Sequence, residues 1–167
     1  MTDFIVRLTH LPDFYLHILI NPLPIYGLGI AVIVLIIGLV LRNRGAQVAA
    51  MVAVLITAAS AWPAAEFGEA AYDVMYARTD KAGDAWLAQH RERANLVVVY
   101  YVEAALAAAA LVMSRKWPKS ALPLTFVVLL GGIICLGIGG YIAYPAGRVR
   151  HSELRTGPPP AIREDNQ

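Results

Sequence analysis

Cysteine is nearly missing from this chain. Cys135 is the only one and sits inside an apolar block, which excludes an intrachain disulfide and gives it the role of a small packing residue. Charge is scarce as well. Charged residues make up 16% of the sequence, the net charge is +2, and no basic stripe is interleaved with aromatics, so nucleic acid is not an expected partner. The first twenty residues carry Asp3 and Asp13, have no basic start and show no small-residue cleavage site. A cleavable signal peptide is therefore not expected. There is no internal repeat, and no tight metal motif of the His-Glu-x-x-His kind.

Apolar side chains fill the space these absences leave. They account for 58% of the 167 residues, and the mean hydropathy is +0.56. They fall in four blocks, each long enough to cross a hydrocarbon layer about 30 Å thick, which takes roughly 20 residues of helix. The predicted spans cover 24–41, 47–65, 95–113 and 122–144. The expected fold is an all-α, membrane-spanning four-helix bundle, a single domain over residues 1–155. Residues 156–167, with Pro158-Pro159-Pro160 and a charged end, form a polar, flexible tail.

Two further helical regions are expected outside the spans. Residues 1–21 repeat apolar side chains every three or four positions, as in an interfacial amphipathic helix, with Pro12 breaking or restarting it. The charged stretch from Glu66 to Ala94 reads as two short helices joined near Thr79–Gly83, the first prolonging the second span. Gly131, Cys135 and Gly139 recur every fourth residue on the fourth span; Ala104 with Ala108, and Ala105 with Ala109, do the same on the third. Small faces of this kind let helices approach closely in lipid, so they are expected to pack together.

Arg42 and Arg44 follow the first span, and Arg115, Lys116 and Lys119 follow the third, with no acid among them. The bias of short loops places these two loops in the cytoplasm and both termini on the other side. That topology gathers polar residues at one face. His17 precedes the first span, Glu66 and Glu69 follow the second, His90 precedes the third, and His151 with Glu153 follows the fourth. Imidazoles and carboxylates suit zinc, copper or iron, so Glu66, Glu69, His90, His151 and Glu153 are candidate metal ligands. His17, His90 and His151 are candidate cofactor-binding residues for a haem edge or a quinol head group as well. No span carries a histidine at its middle, where a haem within the bilayer would need one.

Glu103 stands apart. It falls roughly 12 Å into the third span at 1.5 Å per residue. Charge there is costly, so it is expected to face the bundle interior, paired, protonated or functional, with Tyr100, Tyr101 or Tyr141 as hydrogen-bond partners.

Three segments carry a family resemblance. They are His17-Ile18-Leu19-Ile20-Asn21-Pro22-Leu23-Pro24-Ile25, Trp86-Leu87-Ala88-Gln89-His90, and the stretch from Gly140 through Arg150-His151-Ser152-Glu153. The chain resembles, over roughly residues 16–155, the uncharacterised bacterial four-span membrane proteins whose first span opens with His-Pro and then His-Phe-Pro-Ile. In that pattern a second histidine stands where this chain has Pro22. The resemblance implies a four-helix fold, a bacterial inner membrane and a histidine-based site at His17, His90 and His151, and it implies no reaction. Three functions remain open from the sequence. The first is a non-enzymatic accessory, binding metal or haem for a redox or transport system. The second is a structural subunit that packs against other membrane subunits or itself. The third is a small proton-handling enzyme or transporter.

Overall fold

The computed structural model describes residues 11–161. Helix α1 (Asp13–Ile20) starts after the extended Pro12 and leads through a widened turn at Leu23–Gly27 into α2 (Leu28–Val40). Pro22 and Pro24 lack the N–H groups that a regular turn would use there, which accounts for the irregularity. Residues 1–10 of the expected interfacial helix lie outside the described residues.

The second span is α3 (Arg44–Ala59), continued by α4 (Ala61–Ala70) and the short α5 (Tyr72–Tyr76). The third is α6 (Lys81–Ala94), joined by a tight turn at Asn95–Val97 to α7 (Val98–Lys116). The fourth is α8 (Ala121–Arg150), followed by a single turn at Ser152–Leu154. No strand occurs among the described residues. The helix pair expected between the second and third spans is present as α5 and α6. Residues 156–161 carry no regular structure, and the rest of the tail lies outside the described residues.

Four helices are long and apolar enough to cross a membrane, so the chain is a multi-pass membrane protein. Only 22% to 33% of the most apolar stretch of each is buried inside the protein. The remainder presents side chains such as Ile30, Ile33, Val40, Leu130 and Ile134 outward, a surface that lipid satisfies and water would not. The four spans form a ring in which each packs against its neighbours, first on second, second on third, third on fourth and fourth on first. Leu28 and Leu35, Met51 and Val54, Ala107 and Ala110, and Val128 and Cys135 meet in its centre.

The inward stripe on α7 is Tyr100, Glu103, Ala107, Ala110 and Ser114; on α8 it is Thr125, Val128, Gly132, Cys135 and Gly139. Both run at alternating steps of three and four, the spacing of a coiled-coil seam. The small-residue expectation is met on the fourth span, where Cys135 and Gly139 lie in the seam, and corrected in register on the third. There Ala105 and Ala109 face outward and Ala104 and Ala108 are only half-buried, because Ala107 and Ala110 take the seam between Tyr100, Glu103 and Ser114.

The helices outrun their apolar blocks. The helical rod from Lys81 to Lys116 has 36 residues, about 54 Å at 1.5 Å each, against a hydrocarbon layer of about 30 Å. The loops at one end are short, so the excess projects at the other, where α1, α4, α5, α6 and the end of α8 form a cap. The fourth span was expected to stop at Pro145, yet α8 continues to Arg150 with Pro145 buried inside it. A proline in a spanning helix is tolerated when neighbours satisfy the backbone groups it frees, and here they do.

Candidate functional site

Pro145 has no N–H, so the Tyr141 carbonyl four residues earlier loses its intrahelical partner, and the ring loosens the turn around it. Helix α6 supplies the replacements. Arg93 Nη1 donates to Tyr141 O at 2.9 Å, and His90 Nδ1 donates to Ile142 O at 2.9 Å. A second histidine is held in the same manner. His17 Nδ1 donates to Ala64 O at 2.7 Å. It reaches that carbonyl because the residue one turn further on is Gly68, where an added Cβ would lie 2.9 Å from both Cε1 and Nδ1 of the imidazole.

A carbonyl only accepts, so Nδ1 is the protonated nitrogen in both rings and Nε2 of the neutral imidazole keeps its lone pair. Tethering one ring nitrogen to a backbone carbonyl in this way orients the other toward a ligand. Both rings line one cavity of about 70 Å³ between α1, α4, α6 and the end of α8. Asn21 lies at the same cavity; Pro24, Ile25, Ala61, Ala64, Val97 and Ala143 form its apolar walls.

Tyr100 closes the inner end. Its hydroxyl donates to Cys135 O at 2.9 Å and rests against Gly139, where a Cβ would lie 2.1 Å from the phenolic oxygen. Gly139 is one turn beyond Cys135, as Gly68 is one turn beyond Ala64. In both places a missing side chain opens a helix carbonyl to a donor from another helix.

The other candidates are not gathered here. His151 is exposed and pairs with Glu153 at 2.9 Å. A backbone N–H within that turn, and then His151, hold the Glu153 carboxyl below its ordinary pKa. Glu69 is exposed and bound by Arg91, whose Nε donates to Oε2 at 3.0 Å while its guanidinium lies over the Tyr72 ring. Glu66 is exposed too and, with Glu69 and Asp73, lines a broad open groove facing α6. Among the described residues no group of three or more His, Cys, Asp or Glu is arranged to hold a metal ion. The face expected to bring three imidazoles together therefore brings two, His17 and His90.

Glu103 is interior, at 1% exposure, against Gly131 and Gly132 of the fourth span. The tyrosine partners expected for it lie elsewhere: Tyr100 bonds the Cys135 carbonyl, Tyr101 lines the open groove with Glu66 and Glu69, and Tyr141 is exposed beneath Arg93. Neither carboxyl oxygen of Glu103 has a hydrogen-bond partner among the described residues.

Asn21, Gly68, Gly139 and Pro145 are the site-building residues that sequence reasoning did not single out for this role. Their available signal was a glycine or proline in an otherwise helical block near a cluster of polar residues. The chain matches no family model, no curated protein and no solved structure.

Proposed function

We propose that this protein is a non-enzymatic, multi-pass protein of the bacterial inner membrane that binds a metal ion between His17 and His90, as an accessory to a redox or transport system. One observation carries the reading: two imidazoles on a common cavity, each with Nδ1 tied to a helix carbonyl. Imidazole nitrogen suits zinc and copper. Water and the Asn21 side chain would complete the coordination of a site that has only two histidines. A cavity of about 70 Å³ has room for an ion and its water, whereas pockets for larger ligands run from about 300 Å³ upward. Size thus favours an ion over the haem or quinol readings. The resemblance of the segments around His17 and His90 to a four-span family supports a histidine site.

The test is zinc titration of the purified full chain in detergent, followed by calorimetry and elemental analysis. Wild type takes up one equivalent. His17→Gln and His90→Gln each weaken binding roughly tenfold or more, and His151→Ala leaves it unchanged. No stoichiometric uptake of zinc or copper, or equal loss in His151→Ala, would overturn the assignment.

The orientation belongs to the same proposal. Arg42, Arg44, Arg115, Lys116 and Lys119 flank the two short loops at the end opposite the cavity, which puts that end in the cytoplasm and the cavity with both termini outside. A cysteine substituted for Asn43 stays unlabelled by an impermeant thiol reagent in intact cells; ready labelling inverts the topology.

A further inference from the structure

Two guanidinium groups converge on one exposed tyrosine at the face that carries the histidine cavity. Arg93 Cζ lies 3.9 Å from the centre of the Tyr141 ring and 5.8 Å from that of Tyr144. Arg148 Cζ lies 3.7 Å from the Tyr144 ring and 5.3 Å from that of Trp86. Arg93 belongs to α6 and Arg148 to the extension of α8, so the cluster joins the third and fourth spans where they leave the membrane. An arginine at a membrane boundary ordinarily extends its charged head into water. These two instead fold back along the helices, Arg93 over Tyr141 and Arg148 over Tyr144, with Arg93 also 5.8 Å from the Tyr144 ring, so that an anion between them would offset the repulsion of their like charges.

The remaining hydrogen-bonding capacity points the same way. Each guanidinium has five N–H donors. Arg93 uses one nitrogen on Tyr141 O, and Arg148 uses Nη1 on Tyr144 O at 3.1 Å. A ligand oxygen at the surface would meet the remaining Nη donors, because Arg148 Nε is enclosed.

The location selects the ligand. Tyr141 and Tyr144 are 53% and 52% exposed on the lateral surface, next to the outward apolar side chains of the fourth span. Tyrosines in that position mark the level of the lipid head groups, the layer in which phosphodiesters are concentrated. The planar fork of arginine matches phosphate oxygens in paired hydrogen bonds. Two cations facing one phosphate favour a head group that brings no compensating positive charge.

We propose that Arg93 and Arg148 clamp the phosphodiester of one anionic phospholipid, with the Tyr141 and Tyr144 rings against its glycerol and upper acyl carbons. Neither arginine lines the cavity of His17 and His90, although His90 lies one turn from Arg93 on the same helix.

Native mass spectrometry of the full chain, titrated with phosphatidylglycerol or phosphatidylcholine, tests this. Wild type retains one phosphatidylglycerol and prefers it over phosphatidylcholine by about 10- to 30-fold, the scale set by two arginines at a lipid surface. The Arg93→Gln/Arg148→Gln protein loses that preference, whereas Arg115→Gln/Lys116→Gln at the opposite end keeps it. Arg93→Lys/Arg148→Lys preserves the charge and guards against misfolding of the glutamine variant. It keeps much of the preference, because the net charge remains, but holds both lipids more weakly because the planar fork is gone. Retention of the wild-type preference by the glutamine variant, or its complete loss in the lysine variant, would overturn the proposal. So would equal binding of the two lipids by wild type. Excess inorganic phosphate leaves the lipid in place, since the acyl chains hold it too; displacement would make this a site for free phosphate and overturn the lipid assignment.

Discussion

The two ends of the bundle are built on opposite plans. At the short-loop end the polar side chains Asn43, Arg44 and Gln47 close the structure. Arg42 takes a left-handed conformation (φ 51°) that ends α2, and Asn43 Oδ1 accepts from the Ala46 N–H at 3.0 Å to start α3. Gln47 Nε2 donates to Gly38 O at 3.1 Å, and Arg44 reaches Thr125 of the fourth span at 3.2 Å. At the other end polar groups also bind helix carbonyls, but each bond leaves something over. His17 and His90 keep Nε2, and Arg93 and Arg148 keep donors. The difference lies in what the second group of each side chain meets. At the closed end Gln47 Oε1 and Thr125 Oγ1 both accept from Arg44 Nη1, so these side chains bond one another, whereas the second ring nitrogens of His17 and His90 belong to rings that line a cavity. One end holds the fold together, and the other carries the groups to which ligands are proposed to bind.

The largest effect expected lies where the open end meets the core. Gly139→Ala places a Cβ 2.1 Å from the Tyr100 hydroxyl oxygen and 3.4 Å from Ile25 Cγ1. The ring has to move and its bond to Cys135 O is lost, for a combined cost of about 2–3 kcal/mol. Gly137→Ala, two residues away on the same helix, meets nothing within 4 Å and changes stability by less than about 1 kcal/mol, in the favourable direction. Thermal unfolding in detergent reads both. Equal melting temperatures would mean that the glycine notch beneath Tyr100 is not a close approach, and the inner wall of the cavity would lose its basis.

A smaller effect probes the closed end. Gln47→Ala removes the side-chain bond to Gly38 O, while that carbonyl keeps its bond from the Asn43 N–H at 2.9 Å. The loss is about 1 kcal/mol of stability, with zinc affinity at the far cavity unchanged. Should the zinc titration weaken as it does for His90→Gln, the two ends are coupled and the division of labour between them fails.

The sequence made the four spans, the interior placement of Glu103 and the chemistry-bearing face legible, because hydropathy and the cost of charge in lipid act on residues one at a time. It did not separate His17 and His90 from His151. All three stand next to spans, and what distinguishes them is a carbonyl on another helix. Ala64 O is opened by Gly68, and Ile142 O lies next to the carbonyl freed by Pro145; in one dimension these two read as a loop-region glycine and a helix terminator. Pro145 misled for a specific reason: in water it ends a helix, but inside a packed membrane bundle the side chains of α6 satisfy what it frees. Helix register was hidden too. Ala104, Ala105, Ala108 and Ala109 are interchangeable by size, and the seam is chosen by where Tyr100, Glu103 and Ser114 fit.

The smallest expected effect concerns the outermost layer of the open end, where α8 is fastened to the start of α6. Arg155 Nη1 donates to both carboxylate oxygens of Asp80 at 2.7 Å, and its other nitrogens bond Arg148 O at 2.7 Å and Val149 O at 2.8 Å. The Arg155 hydrogen bond, and then the Gly83 N–H, hold the Asp80 pKa below its ordinary value. A carboxyl whose folded pKa is depressed stabilises the fold above its unfolded pKa, near 3.9, and loses that contribution as the pH falls through the folded value. Asp80→Asn keeps an oxygen to cap α6 at Gly83 and removes only the charge, so it isolates the ion pair. The variant should melt slightly below wild type at neutral pH, and the gap should close below about pH 4. It should also narrow in high salt, because Asp80 is 61% exposed and its pair with Arg155 is screened. A gap that persists unchanged in acid would assign the difference to the helix cap instead, and the open end would then be fastened by the same spent hydrogen bonds as the closed one.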